Sequence, residues 1–292
     1  MGITTWITGA RIRTLPLAVA PILLGSSTAA TLDRFDLTLS ALALLVALLL
    51  QIAVNYANDY SDGIRGTDSN RVGPQRITAG GLARPAAVKR AAFLSFGLAA
   101  LAGGLIVLIT QQWWLFAIGL LAIVAAWFYT GGKQPYGYHG LGEVAVFLFF
   151  GLVATIGTNY IQTQIFDPLA VLLGCSFGLY ASAVLLVNNI RDLETDRAAG
   201  KRTLAVLLGE KASRILFLLM IWLPVLVNVS LNFIYPATVI GLLNLLLLLP
   251  ITLIVRQSSS AKDLITALKL TSFAGLGFAT LVSLGVYWVN FF

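Results

Sequence analysis

The sequence is poor in charge and poorer still in the residues that build metal clusters and covalent cross-links. Only 11% of its 292 residues are charged, against roughly a quarter in a soluble globular domain. Its one cysteine, Cys175, can form no intrachain disulfide and no cysteine metal cluster; lying in an apolar run, it reads as filler. The one histidine, His139, has no neighbours with which to make a metal cluster and reads as a surface loop residue. Despite a net charge of +7, there is no recognition motif and no basic helix outside the apolar segments, so nucleic acid is not an expected partner.

What is present is hydrocarbon. Hydrophobic residues make up 58% of the chain and the mean hydropathy is +0.89. A span of a bilayer core needs about 20 mostly apolar residues. Apolar runs bounded by polar clusters predict nine spans, near residues 14–31, 37–56, 88–110, 112–130, 142–161, 168–189, 213–233, 236–255 and 267–290. The expected fold is therefore all-α, a polytopic bundle of nine transmembrane helices forming one domain over 1–292. Counting basic residues in alternate loops puts all 19 lysines and arginines except Arg34 on one side. The positive-inside rule makes that side cytoplasmic, with the N-terminus inside and the C-terminus external, in a multi-pass protein of a bacterial cell membrane. Arg11 and Arg13 precede an apolar run with no small-residue cleavage site, so the first span is expected to be retained. The basic surface suits the anionic lipid of the bilayer or a diphosphate head group.

Of 12 acidic residues, half lie in two stretches, NYANDYSDGIRGTD (55–68) and NNIRDLETD (188–196). Each begins at the cytoplasmic end of a predicted span, the second and the sixth, and shares the unit Asn-x-x-x-Asp followed by a second Asp three or four residues on. On a helix of about 100° per residue, Asn55, Asp59 and Asp62 fall within about 60°, and Asn188, Asp192 and Asp196 within about 80°. Two equivalent polar faces imply one shared cavity. Four carboxylates meeting there repel one another unless cations neutralise them. Magnesium, or manganese in its place, binds through one or two carboxylates plus substrate phosphates, so Asp59, Asp62, Asp192 and Asp196 are the expected metal ligands. Arg65, Arg71, Arg76, Lys133 and Lys201 are the nearby cations for remaining phosphate oxygens. On this reading Asp59→Asn or Asp192→Asn removes charge from a repelling group and leaves folding intact.

Between the motifs, YTGGKQPYGYHGLGE (Tyr129–Glu143) has the glycines and Pro135 of a tight turn. It holds Lys133, three tyrosines and Glu143, an acid at the start of a predicted span, where the helix dipole stabilises it; a substrate role is equally open. A secondary transporter is the rival from another class, but transporter sites lie near the bilayer midplane and these acids sit at helix ends.

These residues resemble the UbiA-type superfamily of intramembrane aromatic prenyltransferases. The opening ARIRTLPLAVAPILLG, NYANDYSDGIRGTD with its RVGPQR, the turn YTGGKQPYGYHGLGE and NNIRDLETDRAAGKRTLAVLLG are closest to its 1,4-dihydroxy-2-naphthoate branch, which serves menaquinone synthesis. One position departs: the superfamily often places a third acid four residues after Asp62, where this chain has Gly66, with Asp68 two further on. The resemblance implies a nine-helix fold and magnesium on Asp59, Asp62, Asp192 and Asp196. It implies Asn55 and Asn188 in support, Arg65, Lys133 and Lys201 on phosphate oxygens, and Tyr129 beside the diphosphate or the developing allylic cation. The substrates it implies are a polyprenyl diphosphate and 1,4-dihydroxy-2-naphthoate, or another aromatic acceptor.

Overall fold

The computed structural model describes residues 2–67, 76–258 and 260–288. Asp68, Arg71 and the last residues of the ninth predicted span lie outside them. Among the described residues there is no strand. The principal helices are α1 (Ile3–Ala10), α2 (Pro16–Ala30), α3 (Leu37–Arg65), α4 (Pro85–Thr110) and α5 (Leu115–Phe128), followed by α6 (Gly142–Thr163), α7 (Pro168–Arg191), α8 (Glu210–Leu231), α9 (Pro236–Gln257) and α10 (Ala261–Tyr287). Their starts follow local chemistry. Proline opens α2, α4, α7 and α9, where its missing N–H costs nothing and its φ is already helical. Asp36 caps α3 by accepting from the Leu39 amide at 2.9 Å, and Asp167 caps α7 through the Leu169 amide at 3.0 Å. At the other end of α3, Gly66 adopts φ 73°, a left-handed conformation that only glycine takes without strain.

Among the described residues, seven helices are long and apolar enough to cross a membrane, or eight if the N-terminal segment 3–14, bent by 49° against α2, is joined to it. The sequence pattern had predicted nine spans, and the segment that falls short is 112–130. Its helix, α5, has 14 residues, about 21 Å at 1.5 Å per residue, less than a hydrocarbon core of about 30 Å. It nevertheless runs from one end of the bundle to the other. Just before it, Gln112 accepts from the Tyr160 hydroxyl near the end of α6, and just after it the Thr130 hydroxyl donates to Asn58 on α3.

The bundle has two halves. In one, α3, α4 and α5 pack around Ala53, Tyr56, Ile77, Val88 and Phe96. In the other, α7 to α10 pack around Phe177, Leu186, Phe217, Ile221 and Phe278. Between them, α2 touches α3, α6 and α10. The central helix is α7, with 72% of its most apolar stretch buried against 22–44% for the other long helices. Leu101, Leu120, Leu226 and Leu246 point outward, and apolar surface on this scale belongs against lipid. The chain is a multi-pass membrane protein.

In lipid, where burial between helices gains little hydrophobic free energy, close backbone approach through small residues holds helices together. A Cβ at Gly151 of α6 would stand 2.5 Å from the Gly178 Cα and 2.7 Å from the Gly174 carbonyl of α7. Gly151 lies in a π-helical stretch, Phe147–Val153, within α6. Gly151→Val must therefore separate α6 from α7. Overpacking of this kind costs about 1–3 kcal/mol, and the expected outcome is a lower melting temperature in detergent; an unchanged melt would show that the contact has slack.

Candidate active site

The polar ends of α3 and α7 meet at one end of the bundle, beside a cavity of about 640 Å³. Asp62, Asp192, Asp196, Asn188, Lys201, Arg76 and Arg11 line its polar end; Leu17, Val46, Leu50, Ile106, Phe149 and Ile161 belong to its apolar wall. Lys201 joins the two motifs. Its ammonium stands 3.6 Å from an oxygen of Asp62 and 3.6 Å from an oxygen of Asp196, and 4.8 Å above the Tyr138 ring. Lys201, Asp62 and Asp196 are buried, so the ammonium offsets much of the repulsion between acids from opposite halves of the bundle.

The second Asp of the first motif is held from the loop. The Tyr138 hydroxyl donates to Asp62 at 2.6 Å. Burial, and then the negative charge of Asp62, push the Tyr138 pKa upward, so the phenol keeps the proton that makes this bond. In the second motif, Arg191 donates through Nε and Nη2 to both oxygens of Asp192 at 2.7 and 2.6 Å, and through Nη2 to Asn188 Oδ1 at 2.8 Å. This two-pronged contact is the strong form of a guanidinium–carboxylate pair. Tyr129 borders the cavity, its ring edge-on to Tyr136.

Several predicted site residues stand elsewhere. Both oxygens of Asp59 accept backbone N–H groups, from Ile77 at 3.0 Å and Thr78 at 2.8 Å, and Asp59 is not among the cavity's lining residues. Asn55 donates to the Ala10 carbonyl at 2.9 Å and to Thr14 Oγ1 at 3.2 Å, tying the N-terminal segment to α3. Arg65 is exposed and its guanidinium donates to the Thr130 and Gly132 carbonyls, bracing the turn that carries Tyr129. Lys133 and His139 are exposed and outside the lining. The two motifs also differ in form. The first is continuous helix from Asn55 to Arg65, but α7 stops at Arg191, Asp192 sits at a break with φ −93° and ψ 8°, and Asp196 lies on a separate short helix, Leu193–Ala198. The helical-face reading of 188–196 therefore holds only as far as Asp192. Sequence reading missed Tyr138 and Arg191. The only hint was that each lies within a motif already singled out, Arg191 directly before Asp192.

Among the described residues, no three His, Cys, Asp or Glu side chains form a cluster able to hold a metal alone. Among the groups that border the cavity are the carboxylates of three aspartates, Asp62, Asp192 and Asp196. That donor set fits magnesium, a hard ion that completes its shell with water and substrate phosphates instead of a protein cage.

The model of the UbiA prenyltransferase family matches residues 18–273. The sequence is 44% identical over 278 residues, 95% of each chain, to a Mycobacterium tuberculosis protein named 1,4-dihydroxy-2-naphthoate octaprenyltransferase. It is 40% identical over 215 residues to the Escherichia coli protein of that name, covering 72% of this chain and 70% of the other. Among solved structures, a UbiA homologue from Aeropyrum pernix superposes over the whole of both chains with a TM-score of 0.68 at 15% identity. A UbiA homologue from Archaeoglobus fulgidus bound to GPP and Mg2+ gives 0.67 at 14% identity, over 96% of this chain and 99% of that one. At such identities the likeness speaks for the fold.

The Asp59 contacts replace the expectation that its charge can be removed without effect on folding. Asp59→Ala leaves two amides without their partner, at about 1–3 kcal/mol for each one left unpaired. It should lower the melting temperature and speed hydrogen exchange at Ile77 and Thr78, whereas Lys133→Ala, at an exposed position, should leave both unchanged.

Proposed function

The chain belongs to the UbiA prenyltransferase family, and we propose that it transfers a polyprenyl chain from polyprenyl diphosphate to 1,4-dihydroxy-2-naphthoate. Diphosphate and carbon dioxide leave, and the product is demethylmenaquinol. The observation that carries this reading is the 44% identity across 95% of a relative named for that acceptor. The cavity agrees with it, having charged groups at one end and an apolar wall beyond them.

In this reading the diphosphate lies at the polar end. Asp62, Asp192 and Asp196, with Asn188 beside them, hold the magnesium, or manganese in its place. The metal supplies positive charge where negative charge builds up on the leaving group. Lys201, Arg76 and Arg11 take the remaining phosphate oxygens. Asp59 serves the same end from behind, by holding the loop that begins at Arg76, and Arg65 does so by bracing the Tyr129 turn. Lys133 approaches the phosphates only from the rim. As the carbon–oxygen bond to diphosphate breaks, the Tyr129 ring offers its electron-rich face to the allylic carbon. A ring carbon of the acceptor forms the new bond, and the ring carboxylate departs as carbon dioxide. Apolar walls such as Phe149 and Leu17 keep water from competing for the allylic carbon.

We place the polar end at the cytoplasmic face of a bacterial cell membrane. The chain then makes nine crossings as one domain, α5 being the short one, with the N-terminus inside and the C-terminus outside.

Four experiments test this. Purified protein given a polyprenyl diphosphate and the naphthoate should form the prenylated, decarboxylated product by mass. Excess chelator should stop turnover, and added magnesium should restore it; full activity in chelator sinks the mechanism. Asp192→Asn should lower transfer to every acceptor by orders of magnitude, since the charge stabilisation at stake is on the order of several kcal/mol. For topology, a reporter fused after Phe292 should appear outside and one inserted near Asp68 inside. The opposite pattern would reverse the assigned orientation.

A further inference from the structure

Glu143 is a carboxylate that the proposed reaction does not use. It is 3% exposed, at the first turn of α6. Its Oε1 accepts from Asn189 Nδ2 at 2.9 Å, while its Oε2 is buried without a hydrogen-bond partner. A carboxylate kept at this depth with one oxygen unpaired is costly, far beyond what a favourable helix dipole returns. The site around it is built. The Ser182 hydroxyl of α7 donates to the Glu143 carbonyl at 2.8 Å, locking the α6 start against α7 one turn pair before Asn189. Gly142, the residue before Glu143, lets Tyr129 come close: a Cβ there would stand 3.4 Å from the Tyr129 hydroxyl oxygen.

Asn189 is the link to the cavity. It is buried, lines the cavity next to Asn188, and follows the first residue of the second motif. With one amide N–H given to Glu143, Asn189 keeps Oδ1 and its second N–H, and the two cannot exchange places without breaking the Glu143 contact. A carbonyl oxygen and an N–H together on the cavity border match a ring hydroxyl, which donates and accepts at once. A diphosphate has only acceptor oxygens and would leave Oδ1 unpaired.

Resting on the prenyl-transfer reading above, we infer that Asn189 reads a ring hydroxyl of the aromatic acceptor, with Glu143 as the positioning residue that holds the Asn189 amide in the reading orientation. As the ring carbon attacks, the hydroxyl gives electron density to the ring and its O–H becomes more acidic, so the bond it donates to Asn189 Oδ1 strengthens. The contact therefore orients the acceptor and favours attack together. Glu143 touches neither substrate.

Steady-state kinetics against each substrate separately test this on the full protein in detergent or bilayer. Asn189→Ala and Glu143→Ala should raise the KM for the naphthoate at least tenfold and leave the KM for the prenyl diphosphate within about twofold. Glu143→Gln, whose amide oxygen accepts the same bond from Asn189, should recover most of the loss. A purely structural role for Glu143 predicts equal changes in both KM values, or a fall in folded protein alone, and either result overturns the inference. Should Glu143→Ala fail to insert, Asn189→Ala decides through an inhibitor pair. In wild type, a hydroxynaphthoate should bind more tightly than its methyl ether, and in the variant that preference should vanish; a preference that survives overturns the inference. Wild-type protein that prenylates no hydroxylated ring would overturn the functional reading and this inference with it, whereas an active wild type with indifferent variants overturns this inference alone.

Discussion

A single ammonium group stands between carboxylates from the two halves of the bundle, and most of the polar end is arranged around that fact. Lys201 lies 3.6 Å from Asp62 on α3 and from Asp196 beyond α7. Charges this far from bulk water persist only in company. Each acid therefore carries its own retinue: Tyr138 on Asp62, Arg191 on Asp192, Lys201 on both Asp62 and Asp196. Distances of 3.6 Å are longer than a charge-assisted hydrogen bond of about 2.7–2.9 Å. Lys201 thus sits amid its partners without being clasped by any, and is placed to turn towards an anion entering the cavity.

The rest of the bundle serves to bring those two ends together. Gly151 lets α6 lie against α7, and the contacts of Asn55 with Ala10 and Thr14 draw the N-terminal segment over α3. The loops are fixed in turn by groups whose charge looked catalytic. Asp59 fastens the segment that follows the first motif through two amides, and Arg65 fastens the Tyr129 turn through two carbonyls. Such bracing fixes where the cavity-lining groups stand.

This division explains which parts were legible in the sequence. Apolar runs located the helices because hydrocarbon imposes their length. The paired motifs pointed to Asp62, Asp192, Asp196, Asn188, Arg76 and Lys201, all of which border the cavity. What the motif pattern could not separate was a carboxylate facing the cavity from one turned to a backbone amide: Asp59 and Asp62 are three residues apart on one helix, and only the loop at Ile77 and Thr78 decides between them. Nor could it show that α7 ends at Arg191, with Asp192 leaving the helix at φ −93° and ψ 8°. Asn189 was hidden beside a more conspicuous asparagine, and Glu143 behind a sufficient local explanation.

The shortness of α5 has a consequence for the surrounding lipid. Its 14 residues reach about 21 Å, while the helices beside it span a full hydrocarbon layer, and Phe116 and Leu120 of α5 both border the cavity and face outward. Lipid against α5 must thin, or its chains must bend over the helix ends, at a fraction of a kcal/mol per Å of mismatch. The annulus is therefore uneven. Phe116 and Leu120 set that deformed sector of bilayer against a wall of the cavity, so acyl-chain length in the host membrane becomes a variable acting on this protein from outside its own sequence.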